Sequence, residues 1–128
     1  MTADDGTVTQ LQGHSVILAS GSVPRVIPGF EPGGPVMTSD EVLMLDKIPA
    51  RIAVIGGGAI GCEFASTCAD LGSQVTILEG LPKILPGLDA DLANVVVRSF
   101  QKKKIDIKTG VAVKSHAPTV SGSTVITY

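Results

Sequence analysis

Three glycines and one glutamate have the types and spacing needed to hold phosphate and sugar. Gly56, Gly58 and Gly61 follow a G-x-G-x-x-G pattern. In this pattern the first glycine permits a sharp exit from a strand, the second lets a pyrophosphate approach the backbone, and the third lets a helix pack closely. Glu79 lies 18 residues after Gly61, near the roughly 20 expected for an acid that binds ribose hydroxyls. The spacing therefore predicts a dinucleotide site.

The elements around these residues alternate as in a parallel α/β unit. Residues 52–55 are continuously apolar, which predicts a strand buried on both faces of a sheet. A helical pattern over 59–71 stops at Gly72, and residues 75–78 predict a second strand with Glu79 at its carboxyl end. This order predicts a Rossmann-like α/β domain and is far more specific than the glycine spacing alone. The alternative is a tight strand-to-helix turn without a ligand.

The acid also bears on the choice of cofactor. A carboxylate at position 79 accepts hydrogen bonds from ribose hydroxyls but repels a 2′-phosphate, which usually meets an arginine. Within the next five residues the only basic side chain is Lys83. The sequence therefore favours NAD(H) over NADP(H). The alternative for Glu79 is an ordinary strand-end acid in solvent.

Composition excludes several classes of function. The chain has 128 residues, 44% of them hydrophobic and 3% aromatic, and a net charge of −2. This charge gives no basic surface for nucleic acid. Glycines break every apolar run well short of the roughly 18 residues of a membrane span, and the first six residues are too polar and acidic for a targeting peptide. We therefore expect a soluble protein of a reducing, cytoplasmic compartment.

Cysteines and histidines predict no metal site and no disulfide. Cys62 and Cys68 lie six residues apart on one predicted helix and point to different sides, so they cannot bridge. Neither their spacing nor their surroundings fit a redox or metal motif, and we expect both to be small core residues. His14 precedes a predicted strand and His116 is placed in a loop, with no partner motif around either.

The amino-terminal third reads as part of a β-meander followed by a linker. Asp5-Gly6 is a hairpin-turn dipeptide, and residues 7–11 and 15–19 are predicted strands. Prolines and glycines over 23–35 exclude regular structure and indicate an interdomain linker. The spacing from Thr38 to Glu41 fits a capping box, which predicts a helix from residue 39 to about 45.

The carboxy-terminal part completes the predicted sheet. Residues 105–108 predict a third parallel strand, and 111–115 with 124–128 predict an antiparallel pair. Apolar spacing predicts the sheet-facing stripes of two helices: in the first, Ile60, Phe64, Cys68 and Leu71; in the second, which Asp89 can cap, Leu92, Val95, Val96 and Phe100. Glu63 lies off the first stripe. Lys102, Lys103 and Lys104 close the second helix as solvated charges.

Residues 15 to about 115 resemble the middle of the pyridine nucleotide–disulfide oxidoreductases, and most closely the dihydrolipoyl dehydrogenases among them. Three segments carry the resemblance. Residues 15–29 are similar to the strand and loop that return to the flavin domain, with Ala19-Ser20-Gly21 where Ala-Thr-Gly is usual. Residues 54–65 resemble the NAD-binding fingerprint, and 79–89 the stretch after its ribose-binding acid.

This resemblance implies cofactors, domains and site residues. Residues 1–35 would be a remnant of an FAD-binding domain and its linker, and 36–128 the NAD-binding domain, with a carboxy-terminal strand that is incomplete. Ser20 and Gly21 would lie near FAD. The NAD contacts implied are Gly56, Gly57, Gly58, Ala59, Ile60, Gly61, Glu63 and Glu79. Glu63 matches a helix acid that lies near the nicotinamide and flavin and pairs with a lysine of the flavin domain, a segment absent here.

By the same resemblance, the parent enzyme is a homodimer that serves 2-oxo acid dehydrogenase complexes, in the mitochondrial matrix if eukaryotic. It passes electrons from dihydrolipoamide through a redox disulfide and FAD to NAD⁺. This sequence lacks the family's FAD fingerprint, its C-x-x-x-x-C pair and its His–Glu acid/base pair. We therefore expect a fragment that binds NAD(H) without catalytic residues of its own. The alternatives are a fragment of another flavoprotein disulfide reductase or NADH oxidase/peroxidase, or a free-standing nucleotide-binding module.

Overall fold

The computed structural model describes residues 2–128. In chain order, its elements are α1 (Ser39–Leu43), β1 (Arg51–Ile55), α2 (Ala59–Asp70), β2 (Gln74–Glu79), α3 (Ala90–Lys102), β3 (Asp106–Thr109), β4 (Ser115–Pro118) and β5 (Thr124–Thr127). β1, β2 and β3 form a parallel sheet in that order, and β4 and β5 form a separate antiparallel pair. The mixed α/β fold with its parallel sheet confirms the predicted class.

The strand register fixes which residues share a face of the sheet. Val54 pairs with Ile77, and Ile77 with Ile107. These three side chains contribute to the apolar core beneath α2 and α3. Ile55 pairs with Leu78, and because side chains alternate along a strand, these two point to the other face. All three parallel strands end at the same edge, where the chain turns out of β1 at Gly56 and out of β2 at Gly80.

Small residues bring α2 against the sheet. Its buried positions are Cys62, Ala65 and Cys68, which pack on Val75 and Ile77. The predicted stripe was partly wrong, since Ile60 is 62% exposed and Leu71 60% exposed. The physical reason is the close approach at Gly61, which turns the small side chains toward the sheet and the larger ones away. Gly72, with a φ of +97°, ends the helix as predicted.

The apolar face of α3 is also rotated from the predicted stripe. Ala93 and Phe100 are its buried residues, whereas Leu92 and Val95 are exposed. Asp89 is the N-cap residue but its side chain makes no capping hydrogen bond.

One of the three lysines that close α3 is not simply solvated. The Nζ of Lys103 donates to Ser66 Oγ at 2.7 Å and to Asp70 Oδ2 at 2.6 Å. This lysine therefore ties the end of α3 to α2, and the expectation of a merely solvated charge was wrong for it.

β1 is less buried than its apolar run predicted. Arg51 and Ala53 are exposed, and Ile52, Val54 and Ile55 are half-buried. Within the described residues β1 is an outer strand of the sheet, so only one of its edges is covered. The predicted strand is confirmed, but the prediction that it is buried on both faces was wrong.

The amino-terminal segment forms the predicted turn but not the predicted strands. A single bridge pairs Thr2 with Val8 around Asp5-Gly6, and neither 7–11 nor 15–19 forms a strand. Val16, Ile17 and Leu18 are 79–91% exposed, because no described strand lies beside them to pair with. Further along, α1 confirms the capping box, with the Glu41 carboxylate accepting from the Thr38 N–H at 2.6 Å.

The first strand of the antiparallel pair begins later in the chain than predicted. β4 begins at Ser115, and residues 111–113 run over the end of the parallel sheet, where the Val111 N–H donates to the Glu79 carbonyl at 3.1 Å. His116 therefore lies in β4 and not in a loop. Its ring packs on Phe30 with centroids 5.3 Å apart, which attaches residues 23–35 to this hairpin. No helix among residues 2–128 has the length and apolar character of a membrane span.

Candidate nucleotide-binding site

The glycine loop forms at the point where β1 ends and α2 begins. Gly56 has a φ of +106°, a conformation that L side chains rarely adopt. Its N–H donates to the Leu78 carbonyl at 2.9 Å, so the chain leaves the sheet while still bonded to β2. Gly58 is the N-cap of α2, has no capping side chain, and no acid lies in the first turn. The positive end of the helix is therefore open to an anion.

The N–H groups of that first turn are available to a ligand. The Cys62 N–H makes the first bond of α2, to the Gly58 carbonyl at 2.9 Å. The N–H groups of Ala59, Ile60 and Gly61 precede it and have no intrahelical acceptor. A β-carbon at Gly58 would meet nothing within 4 Å, whereas one at Gly61 would overlap the Gly56 carbonyl oxygen. Gly61 thus serves packing, and Gly58 leaves open space in front of the helix.

Glu79 lies at the carboxyl end of β2 with its carboxylate turned toward the glycine loop. It is only 9% exposed. Its Oε2 accepts from the Gly57 N–H at 2.6 Å, and its Oε1 from the Leu81 N–H at 2.6 Å. The interpretation as an ordinary solvated acid was therefore wrong. Each carboxylate oxygen retains a lone pair for a further donor, so the group can still accept from hydroxyls.

The residues after Glu79 were missed by sequence reasoning. Prolines at 82 and 86 are typical of a loop and indicate nothing more, yet the Leu85 N–H donates to the Gly57 carbonyl at 2.7 Å. The Ile84 side chain is almost fully buried in the core. Leu85 has a φ of +52°, which costs a non-glycine residue about 1–2 kcal/mol. No local sequence signal indicates that this loop folds back onto the glycines.

The other predicted site residues lie on the surface. Ala59, Ile60 and Glu63 are exposed on the first turns of α2, and Glu63 has no hydrogen-bond or ion-pair partner among the described residues. Ser20 and Gly21 lie in an irregular, exposed stretch. The structure therefore brings the glycine loop and Glu79 together, whereas Ser20 and Gly21 are exposed to solvent.

A cavity of about 300 Å³ opens on the other face of the sheet, at the same edge. Its walls are apolar or glycine: Ile27, Ile55, Gly56, Leu78, Gly80, Val111, Ala112 and Val113. Ile27 reaches it from the irregular segment 23–35, where the Phe30 N–H donates to the Ile27 carbonyl at 2.9 Å. This segment thus contributes to the edge of the sheet where the glycine loop lies.

The two cysteines are free and buried, as predicted. Burial raises the pKa of the Cys62 thiol, and the charges of Glu79 and Glu63 raise it further. Burial alone raises the pKa of Cys68. Within the described residues no group of three metal-ligating side chains is found.

We expect both thiols to resist alkylation in the folded chain at pH 8 and to react fully in denaturant. A raised pKa keeps a thiol protonated, and burial blocks access. The same shift predicts that stability falls as the pH rises past the ordinary thiol pKa of 9.0, because the unfolded chain then releases protons that the folded chain retains. Mass spectrometry after iodoacetamide treatment, and unfolding curves from pH 7 to 10, test this. Rapid labelling of the folded chain would contradict it.

Comparison with known proteins identifies relatives over most of the chain. The sequence model of the family described as "Pyridine nucleotide-disulphide oxidoreductase" matches residues 2–127. A dihydrolipoyl dehydrogenase of Chlorobaculum tepidum is 43% identical over 123 residues, which are 95% of this chain and 26% of that protein. One of Bacillus subtilis is 42% identical over 99 residues, 77% of this chain and 21% of that protein. The chain thus spans about a quarter of the length of these relatives.

The fold of this chain is also similar to that of solved structures. LpdA of Mycobacterium tuberculosis is 30% identical, with a TM-score of 0.76 over 98% of this chain and 29% of that one. The water-forming NADH oxidase of Lactobacillus brevis, bound to NADH, is 28% identical, with a TM-score of 0.57 over 61% of this chain and 17% of that one.

Proposed function

The chain belongs to the pyridine nucleotide-disulphide oxidoreductase family, and from this we propose that it is the NAD(H)-binding region of a flavin-dependent dihydrolipoyl dehydrogenase. One observation carries the proposal: the Glu79 carboxylate is held beside the glycine loop, 2.6 Å from the Gly57 N–H. This brings an acid for ribose and a helix end for pyrophosphate to one edge of the sheet. The whole enzyme would pass electrons from dihydrolipoamide through a redox disulfide and FAD to NAD⁺.

The residues of this chain fit the dinucleotide. The N–H groups of Ala59, Ile60 and Gly61 would bind the pyrophosphate, and the open space at Gly58 would let it approach. Glu79 would accept hydrogen bonds from the adenosine ribose and so orient that half of the molecule. Bound NAD⁺ would supply the hydride acceptor. Glu63, exposed on α2, would lie toward the nicotinamide end.

NAD(H) is preferred to NADP(H) in this proposal because Glu79 opposes a 2′-phosphate. Solved structures of one relative and of its engineered variant hold different cofactors. The Lactobacillus brevis oxidase is bound to NADH, and an engineered NADPH oxidase derived from it by five substitutions is bound to NADPH; the latter is 26% identical to this chain, with a TM-score of 0.54 over 59% of it and 18% of that chain. A few side chains thus suffice to distinguish the cofactors on this scaffold.

We further propose that catalysis requires parts of the enzyme outside these 128 residues. Cys62 and Cys68 are buried and free on one helix, so they do not form the redox disulfide. Residues 1–35, with Ser20 and Gly21, would belong to the FAD-binding domain and 36–128 to the NAD-binding domain. The exposed apolar residues 16–18 support this division, since an apolar segment of this kind needs a neighbouring sheet to pair with.

The proposed setting is a homodimeric flavoprotein that serves 2-oxo acid dehydrogenase complexes in the cytoplasm. Organelle forms also occur among the relatives, since a chloroplastic dihydrolipoyl dehydrogenase of Arabidopsis thaliana is 39% identical over 118 residues, 91% of this chain and 21% of that protein. The NADH oxidase likeness makes an oxidase or another flavoprotein disulfide reductase the second candidate for the parent.

Calorimetric titration of the chain with NADH and, separately, NADPH tests the proposal. We expect saturable NADH binding and much weaker NADPH binding. A preference for NADPH would contradict the role of Glu79. Binding of neither to a chain shown to be folded by circular dichroism would contradict the proposed site.

Replacing Glu79 by Ala should weaken NADH binding by about 1–3 kcal/mol, because the ribose hydroxyls lose their acceptor. The preference for NADH over NADPH should decrease at the same time, since the charge that repels the 2′-phosphate is gone. The same titrations measure both. Asp91→Ala, which removes an exposed acid from the first turn of α3, is the matched control and should leave both affinities unchanged. Unaltered NADH affinity in Glu79→Ala would contradict the assignment.

A further inference from the structure

The carboxylate of Glu79 is fixed from two sides. Gly57 donates to one oxygen and Leu81 to the other, each from a backbone N–H at 2.6 Å. Hydrogen bonds to a charged acceptor are the stronger kind. Turning the carboxylate away would break both bonds and leave two backbone donors without a partner, the Gly57 N–H in a buried place and the Leu81 N–H in a partly buried one.

The segment that supplies Leu81 is itself tied back to the same glycine. We call residues 80–85 the strap. At its end the Leu85 N–H donates to the Gly57 carbonyl at 2.7 Å, so Gly57 bonds to Glu79 with its N–H and to the strap with its C=O. The left-handed conformation of Leu85, at a φ of +52°, is therefore held in place by the loop it contacts.

The strap leaves no room for a side chain at position 57. A β-carbon there would lie 2.6 Å from Ile84 Cγ2, 3.1 Å from Ile84 Cβ and 3.3 Å from Glu79 Cβ. Ile84 is 1% exposed and sits in the core, so it cannot swing aside. In the G-x-G-x-x-G pattern this position is unrestricted, yet in this chain its surroundings require glycine.

We infer that Gly57, packed against the strap, is a positioning residue that sets the cofactor preference by holding Glu79 immobile. A mobile carboxylate can rotate away from a 2′-phosphate and accept NADPH at modest cost. A carboxylate pinned by the strap keeps its charge where the phosphate would lie, and like charges at close range in a partly buried site repel strongly. The inference rests on the proposed dinucleotide site and adds to it that selectivity depends on the strap as well as on the acid.

The test is Gly57→Ala in the full 128-residue chain, titrated with NADH and NADPH. The added methyl overlaps Ile84, which has no room to move aside, so it pushes the strap and the glycine loop apart and frees Glu79. The ratio of the two dissociation constants should therefore narrow by about tenfold, equivalent to losing one bond to a charged group. Gly87→Ala is the matched control. It lies just beyond the strap, its φ is not in the left-handed region, and a β-carbon there meets nothing within 4 Å. It should keep the original ratio.

Two further variants separate positioning from damage to the fold. Ile84→Ala, combined with Gly57→Ala, removes the clashing Cγ2 and should restore most of the selectivity, although the double variant loses core contacts. Glu79→Ala, added to Gly57→Ala, should change the ratio no further, because the acid is already disengaged. A purely structural role does not predict this lack of additivity, which therefore distinguishes positioning from damage to the fold.

Failure of the inference and failure of the proposed function give different results. If the chain selects NADH and folded Gly57→Ala keeps that selectivity, the strap inference is overturned and the site stands. If the chain binds neither dinucleotide, the proposed function fails, and amide hydrogen exchange then tests the strap directly. Protection of the Leu81 amide that disappears in Gly57→Ala would support the pinned carboxylate, and unchanged protection would overturn it.

Discussion

Gly61→Ala should destabilise the folded chain by more than about 3 kcal/mol, beyond the usual cost of overpacking. A β-carbon at this position would overlap the Gly56 carbonyl oxygen and would also press on Val54 Cγ1 at 3.3 Å. Gly56 cannot move aside, since its N–H bonds to Leu78 and its φ of +106° is fixed by the turn out of β1. A loss of this size is a large part of the roughly 5–15 kcal/mol that holds a domain together. Urea unfolding followed by circular dichroism measures it.

The control for this variant is Gly87→Ala, where the added methyl meets no atom within 4 Å. Its free energy of unfolding should change by no more than about 0.5 kcal/mol, as for ordinary surface substitutions. If Gly61→Ala unfolds at the same urea concentration as the unaltered chain, the close contact between α2 and the loop does not constrain this fold.

The central part of the site could be predicted from sequence because its signals are local. The strand, the glycines, the helix and the second strand each leave a pattern within a few residues, and Gly72 marks the helix end. Parallel pairing then brings the ends of β1 and β2 to one edge, so the neighbourhood of Gly56 and Glu79 follows from the order of elements.

The rest depends on contacts between distant residues. Apolar spacing on α2 and α3 does not determine which side of each helix faces the sheet. On α2, the close approach at Gly61 buries Ala65 and leaves Ile60 exposed. Residues 16–18 have a strand's composition but no described strand to pair with. The return of Leu85 to Gly57 depends on one left-handed residue that no turn signal marks. For these reasons the helix faces, the first strands and the strap could not be predicted.

Gly58→Val should abolish binding of NADH while leaving the chain folded. Gly58 has a φ of −73° and a ψ of −177°, an extended conformation that valine adopts readily. A β-carbon there meets no protein atom within 4 Å, so the fold offers little resistance to it. The same space is where the pyrophosphate would approach the N–H groups of α2. Calorimetric titration should therefore show an affinity loss of about a hundredfold or more, equivalent to roughly 3 kcal/mol.

This variant and Gly61→Ala distinguish the two uses of glycine in one loop. At Gly61 the space for a side chain is filled by the protein's own backbone, so its substitution should lower stability. Gly58 faces open space, so its substitution should lower affinity and leave the unfolding midpoint nearly unchanged. Gly87→Val controls for adding a β-branched side chain to an open position and should do neither. NADH binding at unchanged affinity in folded Gly58→Val would mean that the pyrophosphate does not lie at the amino terminus of α2, and the dinucleotide site would have to be placed elsewhere on the sheet edge.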